Sequence, residues 1–373
     1  METKVVKLDP ANIDLVKISE AAEIIDAGGL VAFPTETVYG IACRAEAASL
    51  AKLDKIKRRG ADKHYTLHIG HKKFAEKYLP IIGLKAQKLI SNAWPGPLTI
   101  IFELNEQDLK QQLSQLKREV FKVLYKDNTI GIRCPDNPIA STLLQKAKRP
   151  VVAPSANITG NTPSINAEQV IALFSGKINL LLDGGPCKYK KSSTIVKISK
   201  NRLKILRPGV YLQPKLEELS TVKFLFVCTG NTCRSPMALG IFRKYLAEKL
   251  KCNIDNLNKT GYRLNSAGIM GISGSPASTE AIKSCSAKGV DIRAHKSQRL
   301  SQQLIEESDL IYVMSNVHLE QIINLNPASA KKCLLLAENK EIPDPIGRLE
   351  AFYNNCAELI EHAVKKRISE LEL

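Results

Sequence analysis

Between Lys223 and Leu250 the chain reads KFLFVCTGNTCRSPMALGIFRKYLAEKL. No other stretch restricts the fold as strongly. An apolar run, KFLFV, meets a short turn that holds glycine, cysteine and arginine, and an amphipathic helical pattern follows. A strand, a tight turn and a helix in that order place the turn at the carboxyl edge of a sheet. Gly230 permits the turn. The backbone N–H groups that precede the helix then curl around one point and face an anion. Such a cradle suits the thiolate form of Cys228, and Arg234 can grip two oxygens of a phosphoryl group in a bidentate fork. Attack of sulfur on phosphorus would give a phosphocysteine, with Ser235 bonded to the sulfur to steady it as a leaving group. The departing alcohol or amine needs a proton. Asp344, in EIPDPIG, is the candidate acid, on a loop stiffened by Pro345. Taken alone, an Asp-Pro pair is more often a plain turn.

The rest of this part alternates strand and helix patterns. YRLNSAGIMG, SDLIYVMS and KKCLLLAE read as strands. Ala277–Lys288 and the terminal AFYNNCAELIEHAVKKRISELEL read as helices. That alternation predicts a parallel-sheet α/β domain over 222–373. At 373 residues the chain exceeds one ordinary core, so a second domain is expected over 1–212, with the charged segment 213–221 as a connection.

The formal charge is +17 and is unevenly spread. Up to Ser220 there are 34 Lys and Arg against 21 Asp and Glu; beyond it there are 20 against 16. The basic excess of the first part fits an anionic ligand, nucleotide or RNA, and fits a solvated basic surface equally. Nine cysteines with no Cys-x-x-Cys pair argue against a zinc site and for a reducing, cytoplasmic setting. The N-terminal stretch has no apolar signal core, and no run reaches membrane-spanning length.

In the first part, LVAFPTETVYGIA runs from a buried strand into a polar turn. SLAKLDKIKRR has helical spacing, and YTLHIG, LTIIFEL, TIGIRCPD, VVAPSAN, INLLLDGG and SSTIVKI are strand-like runs. Hydroxyl and amide residues (Thr35, Thr37, Ser155, Asn157, Ser193) and cations (Lys57, Arg59, Arg133, Arg207) punctuate these runs. Together they could surround a polyphosphate and a small zwitterion. No Walker-type glycine-lysine loop is present. The residues by themselves lead to an anion-binding α/β domain and no further.

Two resemblances extend this reading. Val222 to about Lys366 resembles the low-molecular-weight protein tyrosine phosphatases through FVCTGNTCRSPMA, SAG at 266–268, GSPAS, AHKSQRLS, DLIYVMS and DPIG. The resemblance implies a Rossmann-like fold with Cys228 as nucleophile, Arg234 as phosphate clamp and Asp344 as general acid. It makes Asn231 and Ser266 braces of the loop, and Cys233 a partner for a reversible disulfide with Cys228. It needs no cofactor and takes a phosphoprotein as substrate. Thr232 stands where many tyrosine-specific members carry a larger aliphatic residue, which favours phosphoarginine over phosphotyrosine. Ile346 stands where the family usually has an aromatic ring.

Val16 to Tyr211 resembles the YrdC/Sua5 family of threonylcarbamoyl-adenylate synthases, on PTETVYG, KRR, PGPLT, GIRCPD, APSAN, SSTIV and LRPG. That resemblance implies a twisted, mostly open α/β sheet. It implies L-threonine, bicarbonate and ATP with Mg²⁺ as reactants, no protein-borne metal, and threonylcarbamoyl-AMP with pyrophosphate as products. The product would pass to tRNA-modification machinery, with a contact to tRNA itself. Lys57, Arg59, Lys63, Thr129, Ser155, Asn157 and Arg207 fall to ATP. Thr35, Thr37, His68, Arg133 and Ser193 fall to threonine. The motif departs from the family at Arg58, Gly60, Lys63, His64 and Ser192. The alternative is a first domain that binds RNA without catalysis, beside a protein-tyrosine phosphatase.

Overall fold

Apolar runs of the first part become strands of one mixed sheet. The structure, a computed structural model, describes residues 2–60, 64–199 and 202–372. Among these, the strand order is Lys4–Lys7, Leu180–Asp183, Val31–Phe33, Gly40–Arg44, Val151–Val152, Thr66–His68, Thr129–Arg133, Leu98–Glu103, Thr194–Ser199 and Arg202–Arg207. Tyr125–Lys126 pairs with Thr129–Arg133 to one side. Parallel and antiparallel pairs alternate irregularly, and the sheet is open rather than closed into a barrel. Register matters most at the centre. Arg133 lies opposite His68 on one neighbour and opposite Thr99 on the other. In-register residues on adjacent strands project to the same face, so these three side chains share one patch.

Each face of this sheet has its own core. Ile18, Ile25, Phe33 and Leu180 belong to one, under the helix Leu15–Asp26 that Asp14 caps. Leu53, Leu67, Leu89 and Ile100 belong to the other. Two helices, Glu106–Gln115 and Arg118–Leu124, fill a stretch that the strand patterns leave unassigned. The first is closed by a capping box between Asn105 and Asp108. The run KFAEKYLPIIGLKAQKLISNAW divides at its proline into a 3₁₀ turn, Lys72–Lys77, and a helix, Leu84–Ala93.

The chain divides into two units, Met1–Leu219 and Ser220–Leu373. The segment read as a connection is helical over Gln213–Ser220, and Leu216 and Leu219 are buried in the first unit's core.

The second unit has four strands among its described residues, all parallel, in the order Tyr262–Gly268, Val222–Cys228, Leu310–Val313, Cys333–Leu335. Val222–Cys228 is central and buried on both sides, which explains its unbroken apolar run. Phe224 and Phe226 pack on Phe242 of the helix Arg234–Leu250, with ring centroids 5.0 and 5.1 Å apart. Leu225 and Val227 face the other way, into a core with Ile305 and Ile322. The strand therefore delivers Cys228 to the carboxyl edge of the sheet.

Candidate active sites

In the second unit, Cys228 ends the central strand and Arg234 begins a 17-residue helix. The turn between them is built around Asn231. This residue is fully buried with φ +57°, a left-handed conformation that asparagine tolerates better than most side chains. Its amide nitrogen donates to Ser235 Oγ at 2.8 Å and to Ser266 Oγ at 2.9 Å, and its amide oxygen accepts from the Gln298 N–H at 2.8 Å. The His295 ring holds its carbonyl at 2.7 Å. Gly268 lets the neighbouring strand end against this turn. A methyl group on it would meet Gly230 C and Thr229 O at 2.8 Å.

Cys228 Sγ lies inside this frame, 3.0 Å from Ser235 Oγ and 3.3 Å from the Asn231 nitrogen, whose N–H donates to it. Arg234 is buried. Its Nη2 donates to Thr229 Oγ1 at 3.1 Å and pairs with Asp344 Oδ2, and its Nη1 donates to the Ile342 carbonyl at 3.2 Å. Nucleophile, cation and carboxylate thus converge, although Asp344 is 110 residues from Arg234. Cys233 caps the helix N-terminus without a side-chain cap bond. Its thiol lies 3.3 Å from Ser278 Oγ and 3.5 Å from the Tyr353 hydroxyl. Cys228 and Cys233 are both free thiols here. Thr232 is half-buried, and Ile346 is 63% exposed beside Asp344.

The first unit gathers its polar residues at the sheet's centre. Arg133 is buried; its Nη2 donates to Glu36 Oε1 at 2.8 Å, Thr37 Oγ1 at 2.5 Å and Thr35 Oγ1 at 3.3 Å. Its Nε is buried with no hydrogen-bond partner among the described residues. Glu36 spends its other oxygen on the Asp136 N–H, 3.0 Å away. Arg207 Nη2 donates to the Ser193 carbonyl at 2.7 Å and reaches Ser193 Oγ at 3.2 Å, while Ser193 Oγ lies 3.1 Å from Thr99 Oγ1. Burial first, and Arg133 second, push the Arg207 guanidinium down from its ordinary value. Two arginines that repel each other across one cavity favour an anion between them.

Thr35, Arg59, His68, Arg133, Ser155, Ser193 and Arg207 line this cavity. Other expected ligands do not. Lys57 is buried behind it, donating to the carbonyls of Ser155 and, at 2.6 Å, Asn157. Asn157 holds the same loop through Ile158 O and Asn161 O, both at 2.8 Å. Thr129 starts its strand opposite Glu103, at the far end from Arg133, and its hydroxyl donates to Lys126 O. Lys63 lies outside the described residues. Arg59 stacks over Tyr65, 4.8 Å from the ring centroid. Glu36, Tyr65 and Thr99 are site residues that the motifs did not single out. A carboxylate inside the buried run PTETVYG was the available signal for Glu36, because a buried charge requires a partner.

His68 Nδ1 lies 3.1 Å from the Thr66 carbonyl, which can only accept, so Nδ1 carries the proton and Nε2 presents a lone pair. Burial, and then Arg133, push this imidazole down to about 3. Unfolded histidine titrates near 6.5. Below that pH the unfolded chain binds a proton that the folded chain refuses, so stability falls as pH falls from about 6.5 toward 3. The loss is roughly 1.4 kcal/mol per pH unit, or about 2 kcal/mol between pH 7 and pH 5. Urea unfolding of the full chain at both pH values should show this drop in the first unit, and His68→Gln should flatten it. An unchanged acid limb in that variant would mean that His68 is not buried neutral.

Comparison with known proteins matches both units. The Sua5/YciO/YrdC family model, described as telomere recombination, matches residues 23–209, and the model of low molecular weight phosphotyrosine protein phosphatase matches residues 223–372. The threonylcarbamoyl-AMP synthase of Pyrococcus abyssi (strain GE5 / Orsay) is 34% identical over 194 residues, covering 52% of this chain and 54% of the relative. That of Bacillus subtilis (strain 168) is 31% identical over 202 residues, covering 54% and 56%. The chain thus spans about half the length of these curated relatives. The crystal structure of P. abyssi Sua5 complexed with L-threonine superposes with a TM-score of 0.52 at 23% identity, over 71% of this chain and 92% of that one, a likeness of fold. Among the described residues no helix is long and apolar enough to cross a membrane.

Proposed function

The chain belongs to the Sua5/YciO/YrdC family through residues 23–209 and fuses that domain to a low-molecular-weight phosphatase-like domain over 223–372, and on this premise we propose that it is a bifunctional enzyme. Its first activity joins L-threonine, bicarbonate and ATP into threonylcarbamoyl-AMP and pyrophosphate. The observation that carries this reading is the cavity that Arg133, Arg207, Thr35, His68 and Ser193 line together, where two guanidinium groups close enough to oppose each other suit a carboxylate. The threonine carboxylate binds there, and His68 Nε2 accepts from its hydroxyl or ammonium group. The free amine bonds to carbon dioxide, which bicarbonate supplies by losing hydroxide, and the proton that leaves the nitrogen combines with that hydroxide as water, giving a carbamate. A carbamate oxygen then bonds to the α-phosphorus of ATP, and the bond to the bridging oxygen breaks to release pyrophosphate. Arg59 and the Ser155–Asn157 loop, braced by Lys57, hold the nucleotide, so catalysis rests on positioning and charge stabilisation. Mg²⁺ would accompany the triphosphate; among the described residues no cluster of three or more His, Cys, Asp and Glu is arranged to hold a metal. The adenylate passes to other proteins that modify tRNA, in the cytoplasm. Pyrophosphate release that requires ATP, threonine and bicarbonate together tests this. RNA binding without such release would leave a non-catalytic module.

The second activity is phosphoprotein hydrolysis. Cys228 sulfur bonds to phosphorus as the P–O or P–N bond breaks, and the leaving group takes a proton from Asp344. Water then gives a proton to Asp344 as its oxygen bonds to phosphorus, and the P–S bond breaks to release phosphate and restore the Cys228 thiolate. Thr232, small and polar, suits a guanidinium better than a phenyl ring, so phosphoarginine is the substrate favoured over phosphotyrosine; Ile346 gives either side chain no aromatic wall. On matched peptides the full chain should prefer phosphoarginine in kcat/KM. Thr232→Ile should shrink or reverse that preference by about tenfold, the scale of a local contact. A wild-type preference for phosphotyrosine would leave a tyrosine phosphatase.

A further inference from the structure

His318, on the helix Asn316–Leu325, is buried and takes no part in the chemistry above. Its Nε2 lies 3.0 Å from Thr229 Oγ1 and its Nδ1 2.8 Å from Ser315 Oγ. Thr229 Oγ1 also accepts from Arg234 Nη2, at 3.1 Å. Of the proton assignments that these contacts permit, one also gives the Thr229 hydroxyl proton an acceptor; with the proton on Nε2, that hydroxyl would accept twice and its own proton would have no partner among these contacts. A guanidinium only donates, so a Thr229 lone pair serves Arg234. The single hydroxyl proton is then free for His318 Nε2, which can accept only if the imidazole is neutral and carries its proton on Nδ1. That proton goes to Ser315 Oγ. The result is one directed chain: guanidinium, hydroxyl, imidazole, serine.

We propose that His318 is a positioning residue for the phosphate clamp: by accepting the Thr229 proton it fixes that hydroxyl as an acceptor and holds Arg234 ready for phosphate. This rests on the reading of Arg234 as the clamp. The charged groups that act on the imidazole are Arg234, Asp344 and Glu341. Burial first, and Arg234 second, push it down to about 4, against the two carboxylates. The chain of bonds therefore survives mild acid. Protonation below that range turns Nε2 into a donor and sets a second cation beside Arg234.

The test uses the full chain, inorganic phosphate and p-nitrophenyl phosphate. His318→Ala should weaken phosphate binding and raise KM about tenfold, the scale of one charge-assisted hydrogen bond, with a smaller change in kcat. Thr229→Val, equal in shape but without the hydroxyl, should do the same, and Thr229→Ser should recover most of the loss. The double variant His318→Ala/Thr229→Val should be no worse than Thr229→Val alone. An acid limb in phosphate affinity near pH 4 should be present in the wild type and absent from Thr229→Val. Nitrogen-15 spectra of labelled histidine should show Nδ1 protonated and Nε2 bare, and the preference should fade in Thr229→Val. If His318→Ala does not fold, the Thr229 variants and the spectra still decide. Additive losses in the double variant, or a proton on Nε2 in the wild type, overturn the proposal. A wild type that binds phosphate through this chain of bonds yet hydrolyses nothing would defeat the phosphatase reading and leave the positioning role standing.

Discussion

Cys228→Ser should abolish hydrolysis of phosphopeptides by the full chain, lowering kcat by roughly 10⁴-fold or more, the scale on which loss of a nucleophile is felt. Oxygen for sulfur keeps the shape of the site. A serine hydroxyl can still meet Ser235 Oγ and the Asn231 N–H, now 3.0 and 3.3 Å from sulfur. The Asn231 bonds to Ser266 and Gln298 do not involve position 228, so the turn stays formed. Phosphate should therefore still bind, through Arg234 and the helix N-terminus, while turnover stops. The serine hydroxyl is a far weaker nucleophile in a cradle built for a thiolate. Stopped-flow kinetics with calorimetry of phosphate binding separates the two effects. Hydrolysis retained in the serine variant would place the nucleophile elsewhere.

Arg133→Met should be nearly as severe in the other unit. It leaves Glu36, which is 4% exposed, buried with the Asp136 N–H as its remaining polar contact. Breaking one side of a buried ion pair costs roughly 3–5 kcal/mol, because the partner charge stays desolvated. Threonine-dependent pyrophosphate release should vanish with it. The double variant Glu36→Gln/Arg133→Met removes both charges and should recover most of the stability, since a buried pair contributes little beyond a well-packed neutral replacement. It should not recover threonine binding. Urea unfolding and threonine titration of the two variants supply the check. Recovery of synthesis in the double variant would reduce Arg133 to a counter-ion for Glu36.

These sites were legible in the sequence to different depths, for physical reasons. The Cys228 turn could be read locally, because its strand, its glycine and its helix lie within one window. Asp344 could be named only as a candidate acid; nothing within EIPDPIG indicates an arginine 110 residues earlier, and resemblance to a family was needed to raise it above a plain turn. Strand periodicity identified the run around TIGIR but not its direction relative to the cavity. The resemblance gave Thr129 to ATP and Arg133 to threonine, and the register sets them at opposite ends of one strand. Lys57 could be recognised as a cation; its burial behind the Ser155–Asn157 loop depends on contacts about a hundred residues away. The two helices over 106–124 had a readable start in Asn105 and Asp108, but their sparse apolar residues gave a weak period. The parallel sheet of the second unit followed from its alternation of strand and helix patterns; the open sheet of the first came with a family resemblance, and its mixed strand directions were not read.

The close seat of Gly268 against Thr229 and Gly230 also bears on how such an enzyme can change over generations. A side chain at 268 would push on the turn, and Asn231, with both amide N–H groups and its carboxamide oxygen already engaged, would lose bonds in any shift. The reaction centre is thereby closed to gradual substitution. Thr232 is half-buried, and Ile346 faces solvent. Drift is free at those two positions. A lineage built on this scaffold can wander from one phosphorylated side chain to another while the step at sulfur stays as it was.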